Sequence, residues 1–151
     1  MFLFFKGRSE LNSFCPWSIS DKISLMSKSE IRAAKLALRK GLDAVEKNKK
    51  DGVIMAHLEL FTIFKKAQHI FLYIAHHGEV STEKLLEKWC EKKTFFAPRV
   101  RGRRMELCAI HNQHEFRPGR FGILEPPQTH EAGFIHPLDL VLVPAIAFDL
   151  R

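Results

Sequence analysis

The sequence predicts one α/β domain with three layers, in which a mostly parallel sheet is flanked by helices. Two short apolar runs, at residues 69–75 and 94–98, have the composition of strands buried on both faces. Between them lies a segment with helical spacing, so the order is strand, helix, strand. This βαβ unit requires a right-handed crossover, with helices packed over a parallel sheet. The length of 151 residues suits one domain of ordinary size.

The composition excludes several classes of protein. With 46% hydrophobic and 27% charged residues, the chain is neither collagen-like, nor low in complexity, nor wholly disordered. Its 24 Lys and Arg against 17 Asp and Glu give a net charge of +7, and residues 28–66 carry ten basic but only five acidic side chains. A basic N-terminal half suits an anionic partner, which could be nucleic acid, membrane phosphate or a small substrate.

The cysteines and the N-terminal residues bear on cellular setting. Three widely spaced cysteines without a CxxC pair predict a reducing, cytoplasmic environment. The apolar run at residues 2–5 is too short for a signal peptide or a membrane span. Residues 1–26 have no sustained period and predict a weakly ordered leader, followed by a single domain over 27–151. Alternatively, translation begins at Met26.

The first helix is predicted from a capping box. In Ser27-Lys-Ser-Glu30, the serine oxygen and the glutamate carboxylate can each accept from a free N–H group of the first turn. Five apolar residues then fall on one helical face: Ile31, Ala34, Leu38, Leu42 and Val45. Four basic residues form a stripe beside it: Lys28, Arg32, Lys35 and Arg39. The stripe is either a solvated face, or a site where Lys28 and Arg32 converge on phosphate.

Two further helices are predicted by periodicity. Residues 52–66 form the second helix, with inward positions at Ile54, Leu58, Phe61 and Phe64. Ser81 or Thr82 can cap the third, whose inward stripe contains Leu85, Leu86 and Trp89.

The remaining segments predict the sheet and its connections. The strand at 94–98 is closed by Pro98. A shorter strand at 105–110 follows a turn at Gly102, which allows antiparallel pairing with the strand at 94–98. Residues 111–137 form a long polar connection of the kind kept for binding. The apolar run at 138–148 is another strand, with Asp149 at its carboxyl end, where ligands gather in open α/β sheets. Because the chain stops soon after this strand, we expect a domain that is incomplete at its C-terminus.

Several kinds of site are disfavoured. The eight histidines lack helical metal-ligand spacing, so we predict loop or surface histidines and no structural zinc. Cys90 and Cys108 fall within predicted elements and are interpreted as small core residues. Neither a GxGxxG nor a GxxxxGK[ST] motif occurs, so a nucleotide must be held in some other way.

Two charged features leave alternatives open. The arginines at 99, 101, 103 and 104 suit an RNA contact or a site for a smaller anion, although no aromatic residues are interleaved to stack bases. Glu79 follows Gly78, just past the end of a predicted strand, where glycine allows a ligand to approach the backbone. It is either an acid that complements a helix dipole or a ligand-binding carboxylate.

Six segments in register resemble the 5-formyltetrahydrofolate cyclo-ligase family, also called methenyltetrahydrofolate synthetase. They cover the chain from about Met26 to its end, and imply the cyclo-ligase fold, which is similar to that of the NagB, RpiA and CoA-transferase group. The segments are Lys28-Ser-Glu-Ile-Arg32, Ile70-Phe-Leu-Tyr-Ile-Ala-His-His-Gly-Glu-Val-Ser-Thr82, Phe96-Ala-Pro98, Met105-Glu-Leu107, Gly122-Ile-Leu-Glu-Pro126 and Leu138-Asp-Leu-Val-Leu-Val-Pro-Ala-Ile-Ala-Phe-Asp149.

The resemblance implies an ATP- and Mg²⁺-dependent ligase. It would convert 5-formyltetrahydrofolate into 5,10-methenyltetrahydrofolate and release ADP and phosphate, with the formyl oxygen phosphorylated before N10 attacks. By resemblance, Lys28 and Arg32 bind ATP, while Ile74 offers apolar surface to the pterin or its linker and Glu79 accepts from the pterin N–H groups. Residues 122–126 and Asp149 match positions to which we assign only shape or supporting roles. The resemblance implies a cytoplasmic enzyme without membrane or nucleic-acid partners.

The resemblance also implies a difference. In the family, the last strand leads into a glycine-rich Arg-Leu-Gly-x-Gly-x-Gly-Tyr-Tyr-Asp loop around the ATP phosphates, and this sequence lacks that loop. We therefore expect a fragment with a partial folate site, half an ATP site and little activity. Two alternatives are a small basic RNA-binding module and a non-catalytic folate-binding fragment.

Overall fold

The computed structural model describes residues 2–5, 27–119, 122–128 and 137–147. The helices are α1 (Lys28–Lys40), α2 (Ala44–Leu60), α3 (Thr62–Lys66) and α4 (Glu83–Trp89), and a 3₁₀ turn spans Gln113–Glu115. The strands are β1 (Phe2–Phe5), β2 (His69–Phe71), β3 (Thr94–Arg101), β4 (Arg104–Ile110), β5 (Arg117–Pro118), β6 (Leu124–Glu125) and β7 (Leu140–Val143).

The main sheet has the strand order β1-β7-β2-β3-β4. Its three central strands, β7, β2 and β3, are parallel, and antiparallel strands border them on both sides. Ile70 of β2 is in register with both Phe95 and Leu140, and all three side chains are fully buried. The α/β class with a parallel centre is therefore confirmed, because continuous apolar strands need covering on both faces.

The N-terminal residues depart from the expected leader at one point. Residues 2–5 form β1, which pairs antiparallel with β7 from Phe2 opposite Val143 to Phe5 opposite Leu140. An apolar run of four residues carries no periodic signal by itself, but it can complete the unpaired edge of a neighbouring strand. Residues 6–26 lie outside the described residues.

Three strands differ in length from their sequence patterns. One is β7, which spans only Leu140–Val143 of the predicted run at 138–148. The apolar run at 69–75 pairs as a strand only over His69–Phe71. Conversely, β3 continues beyond Pro98, which lies opposite Leu107 of β4. Pairing of β3 with β2 ends at Phe96, so Pro98 has a strand neighbour on one side only, and its missing N–H group can be tolerated there. The hairpin from β3 to β4 turns at Gly102 as predicted, with φ of 65°.

The starts of α1 and α2 follow capping residues, whereas Thr82, offered as a cap for α4, makes no capping bond and donates to the Tyr73 carbonyl instead. The capping box of Ser27 and Glu30 is formed in full, so the prediction for α1 is confirmed. The second helix begins eight residues earlier than predicted, because the Asp43 carboxylate accepts from the Glu46 backbone N–H. It ends at Leu60, and Phe61, predicted to point inward, is 42% exposed.

The apolar face predicted for α1 is not buried. None of the residues of α1 is buried, and Leu38 is 66% exposed. Val45, predicted for the same face, lies in α2 and is 80% exposed. Periodicity identifies a face of a helix, whereas its covering depends on which neighbour packs there. Ile31 and Leu42 on the same face are half-buried, so the face is covered only in part.

The core lies between the sheet and the other helices. Leu58, Phe64, Leu85 and Leu86 bury completely against the sheet, and Trp89 packs at the margin of the same cluster, edge-on to Phe64. The inward stripe of α4 is therefore confirmed. Cys108 is also buried, and burial raises the pKa of its thiol, as expected of a core cysteine.

The long connection before β7 contains ordered structure in its described part. The 3₁₀ turn leads into β5, which pairs antiparallel with β6, with Arg117 opposite Glu125. This two-stranded ladder was not predicted, since two-residue strands carry no periodic signal. Within the described residues, no helix is long and apolar enough to cross a membrane.

Candidate functional site

The turn at residues 76–79 follows the carboxyl end of β2. His77 and Gly78 both have positive φ angles, 47° and 76°, which reverse the chain tightly. Glu79 closes the turn, since its backbone N–H donates to the His76 carbonyl (3.2 Å) and its Oε2 accepts from the His76 N–H (3.1 Å). The carboxylate is half-buried and held by the turn that it closes.

Arg39 of α1 lies across this turn. A Cβ at Gly78 would lie 3.4 Å from the aliphatic carbons of Arg39, so the two residues are in van der Waals contact. The Arg39 guanidinium reaches further and donates from Nη2 to the Ala145 carbonyl, just past β7 (3.1 Å). Arg39 therefore joins α1 to the carboxyl ends of two adjacent parallel strands, where ligands of open α/β sheets bind.

The segment on either side of the turn is fixed by side-chain hydrogen bonds. The Tyr73 hydroxyl donates to the Val80 carbonyl (2.7 Å), and the Thr82 hydroxyl donates to the Tyr73 carbonyl (2.8 Å). Asp51 of α2 accepts from the Ser81 N–H (3.1 Å). Burial, together with the negative charges of Glu79 and Asp51, raises the pKa of Tyr73 well above its usual range, so the phenol keeps its proton and remains a donor.

Ile74 lines an apolar cavity of about 290 Å³ beside the turn. Its apolar walls come from four separate parts of the chain: Leu72 with Ala75, Leu86 of α4, Phe116, and Leu124 of β6. Ser81, Thr82 and Glu83 add polar groups on one side. The volume approaches the lower end of the range found for small-molecule sites, and the mixture of apolar walls with a few polar groups is typical of them.

Lys28 and Arg32 are exposed on α1. They share a stripe with Arg39, and a rise of 1.5 Å per residue places them about 16 and 10 Å from it along the helix axis. No contact among the described residues joins either of them to Glu79 or Ile74. The structure thus brings Ile74 and Glu79 to one place, and leaves Lys28 and Arg32 along the helix that Arg39 attaches to that place.

A second cavity, of about 400 Å³, lies on the other side of β5 and β6. Arg99 and Arg101 of β3, Arg117 of β5 and Glu125 of β6 supply its charged lining, and Pro126 and Pro127 form part of its wall. We refer to it as the arginine cavity. It contains two members of the arginine cluster that the sequence offers as a contact for RNA or for a smaller anion.

The resemblance implies Mg²⁺, so the question for the described residues is which side chains could hold a metal ion. They contain no group of three or more His, Cys, Asp or Glu side chains that could hold a metal ion. Mg²⁺ usually keeps several waters and binds through one or two carboxylates together with phosphate oxygens, so it does not require such a group. Asp149 lies outside the described residues.

Two contributors to this region were not singled out in the sequence. Arg39 belongs to a basic stripe of which only the first two members were assigned a role. Its signal is its position in the last turn of the helix, two residues before Gly41, where a long side chain can reach beyond the helix end. Phe116 lies in a connection without periodicity, and we find no sequence signal that would have identified it.

Two comparisons place the chain among known proteins. The model of the 5-formyltetrahydrofolate cyclo-ligase family matches residues 24–151. The 5,10-methenyltetrahydrofolate synthetase of Aquifex aeolicus is 31% identical, with a TM-score of 0.73, over 83% of this chain and 64% of that one. The Mycoplasma pneumoniae 5,10-methenyltetrahydrofolate synthetase is 21% identical, with a TM-score of 0.47, over 58% of this chain and 56% of that one.

This chain spans less than two thirds of the length of either solved structure. The comparison with curated proteins gave no match. The family match extends over most of the sequence, and the Aquifex aeolicus structure shares both its fold and nearly a third of its residues. The chain therefore belongs to the 5-formyltetrahydrofolate cyclo-ligase family.

Proposed function

We propose that the chain binds 5-formyltetrahydrofolate at the apolar cavity and the adjoining turn, as part of an ATP-dependent 5-formyltetrahydrofolate cyclo-ligase. One observation carries the proposal. Ile74 and Glu79 border the same turn at the carboxyl end of β2, where one lines an apolar cavity and the other provides a carboxylate. An aromatic ring system edged with N–H donors fits such a pair of surfaces.

Each residue has a distinct role in this proposal. Ile74 gives apolar contact to the pterin, with Phe116 and Leu124 on the other walls. The Glu79 carboxylate has about four acceptor sites. Its bond to His76 therefore leaves capacity for N–H groups of the ligand. Because the turn also restrains this carboxylate, little conformational entropy is lost when a ligand binds.

Lys28 and Arg32 are the proposed ligands of the ATP phosphates. They are exposed cations four residues apart on one helix, so they are neighbours on its surface and can spread phosphate charge between them. When bound, ATP with Mg²⁺ supplies the phosphoryl group that activates the formyl oxygen. The role of these side chains is to bind and orient the phosphates, which is the main protein contribution in phosphoryl transfer.

Calorimetric titration with 5-formyltetrahydrofolate tests the folate site. We expect Ile74→Ala and Glu79→Gln each to weaken binding by about tenfold, the effect of losing about 1.4 kcal/mol. Ile63→Ala and Glu91→Gln are matched controls at exposed positions outside both cavities, and we expect them to stay within about twofold of the parent. A folded chain that binds no folate, or binds it equally well in all four variants, contradicts the proposal.

Adding Mg-ATP tests the ligase reaction. Formation of the methenyl product, followed by its absorbance, supports catalysis by this chain. Lys28→Ala with Arg32→Ala should then raise the KM for ATP, whereas Lys49→Ala with Lys84→Ala, which removes the same charge from other exposed sites, should not. Folate binding without turnover supports the non-catalytic folate-binding role instead. Salt-sensitive RNA binding with no response to folate would support the RNA-binding module.

A further inference from the structure

The arginine cavity combines positive charge from two separate strands in one open concave site. Arg99 and Arg101, two residues apart, come from one face of β3, and Arg117 comes from β5 on another wall. Against these three guanidinium groups, Glu125 is the one carboxylate in the described lining. A cavity of about 400 Å³ with a surplus of arginine suits an anionic ligand, because guanidinium groups bind carboxylate and phosphate oxygens in pairs.

Arg99 forms a fixed part of this cavity. It is only 7% exposed, and its guanidinium donates to the Pro127 carbonyl (2.6 Å) and to Glu106 Oε2 (2.9 Å). The ion pair with Glu106 of β4 compensates its charge, and the hydrogen bond to Pro127 links β3 to the wall beside β6. Arg99 therefore shapes the cavity, and the charge available to a ligand comes mainly from the other two arginines.

Arg101 and Arg117 supply that charge. The Arg101 side chain is 78% exposed and lies 3.7 Å from Glu106, a separation at which attraction through water is weak. Arg117 is exposed and held through Nη1, which donates to the His114 and Phe116 carbonyls (3.0 and 2.9 Å). Arginine has five N–H donors, so this anchoring orients Arg117 and leaves donors for a ligand.

The β5 and β6 ladder separates this cavity from the apolar one. Phe116 and Leu124 line the apolar cavity, whereas the next residues, Arg117 and Glu125, line the arginine cavity. The boundary between the cavities therefore falls between residues 116 and 117 and between residues 124 and 125. One molecule with an aromatic end and an acidic end could therefore occupy both cavities, passing over a wall only two strands wide.

We propose that the arginine cavity binds the acidic end of the substrate, through carboxylates of its glutamate portion paired with Arg101 and Arg117. The identity of the ligand rests on the proposed function, whereas its anionic chemistry rests on the cavity alone. Separate carboxylates suit this lining better than a polyphosphate. Each carboxylate can pair with one guanidinium, while the denser charge of a polyphosphate would meet Glu125.

A ligand without a pteridine tests the cavity directly. We would titrate the full chain with tri-γ-glutamate by calorimetry, alone and after Arg101→Gln with Arg117→Gln. We expect the double variant to bind about tenfold or more weakly, since it loses two charge-assisted pairs. Arg103→Gln with Lys49→Gln removes the same charge at exposed positions outside the cavity, and should stay within about twofold. Unchanged circular dichroism and thermal midpoints establish that all variants fold.

Three other results would count against the assignment or separate it from the proposed function. No binding of tri-γ-glutamate by the parent chain, or equal binding by the double variant, overturns the cavity as a carboxylate site. Tighter binding of inorganic tripolyphosphate than of tri-γ-glutamate, abolished by the same double variant, overturns the choice of carboxylates. Arginine-dependent binding of tri-γ-glutamate by a chain that binds no 5-formyltetrahydrofolate supports the anion site while contradicting the proposed function.

Discussion

The Arg39 guanidinium donates a 3.1 Å hydrogen bond to the carbonyl oxygen of Ala145, 106 residues further along the chain. The aliphatic part of the Arg39 side chain lies beside Gly78, so this one side chain is close to the segments that follow both β2 and β7. Because α1 has no buried residue, this link is an important part of its attachment to the sheet. The same helix carries Lys28 and Arg32, and the position of Arg39 therefore sets the position of the proposed ATP ligands.

Arg39→Ala should weaken that attachment. We expect the free energy of unfolding to fall by about 1 kcal/mol, the usual net value of a partly buried hydrogen bond. Lys40→Ala is the matched control, because Lys40 is exposed, and it should change stability by less than about 0.5 kcal/mol. Urea denaturation measures both. Equal stability of the two variants would show that Arg39 does not hold α1.

Gly78→Ala should strain the turn that carries Glu79. The φ of 76° is unfavourable for alanine, at a cost of about 1 to 2 kcal/mol. The new methyl group would lie 3.4 Å from the aliphatic carbons of Arg39, in van der Waals contact. Gly52→Ala is an informative control, since Gly52 lies in α2 with open space around it. There the substitution should stabilise by about 0.5 to 1 kcal/mol. Denaturation should therefore give shifts of opposite sign, and two shifts of the same sign would contradict this reading of the turn.

Asp139 should make the fold sensitive to acid. The backbone N–H groups of His69 and Gln68 donate to its carboxylate (both 2.8 Å) and hold the pKa of Asp139 below its usual range. Because the pKa of Asp139 is lowered in the folded state, the ionised carboxylate stabilises the fold. Its contribution to the free energy of unfolding is fully present above about pH 4, the pKa of an unperturbed Asp. It is lost as pH falls through the lowered folded pKa.

Asp139→Asn should cost about 1 kcal/mol near neutral pH and should flatten the acid limb of a plot of stability against pH. The Asp139 side chain is 43% exposed, so solvent screening keeps the effect modest. Glu91→Gln, at an exposed position, should leave that limb unchanged. Thermal midpoints measured between about pH 3 and 7 check both variants. Parallel acid limbs for the parent and Asp139→Asn would exclude this role.

Lys93 should be required as a buried hydrogen-bond donor close to the Phe64 and Trp89 rings. It is 6% exposed, donates to the carbonyls of Lys65 and Ala67 (3.1 and 2.6 Å), and lies over the Phe64 and Trp89 rings. Lys93→Met leaves those carbonyls without their donor, at an expected cost of about 1 to 3 kcal/mol. Lys92→Met, at the exposed neighbouring position, is the control, and urea denaturation measures both. A Lys93→Met variant as stable as the parent would disprove this role.

Burial lowers the pKa of Lys93, which gives a second readout. The unfolded chain then binds this proton more tightly than the folded one. Stability should therefore rise with pH between the lowered folded pKa and about 10.4, the value for an unperturbed Lys. Lys93→Met should lack this rise. The difference between parent and variant isolates it from Tyr73, whose raised pKa acts in the opposite direction above about pH 10.

Local signals in the sequence determined much of the architecture. The capping box at Ser27 and Glu30, the inward Leu85 and Leu86, and the turn at Gly102 all form as predicted. Such features depend on residues a few positions apart, so their physics is complete within a short segment. The segments that resemble the family likewise identified its membership before any geometry was known, as the family match confirms.

Tertiary structure alone decided how those segments meet. Residues 2–5 become a strand because β7 offers them an edge, and no residue of the apolar face of α1 is fully buried although its period predicts burial. Arg39 reaches Gly78 and Ala145, and Phe116 joins the walls around Ile74, across separations that no local pattern encodes. A sequence pattern shows which surface a segment can bury or pair. Which partner it meets depends on the packing of the whole chain. The two cavities show this, because each is lined by residues that lie far apart in the sequence.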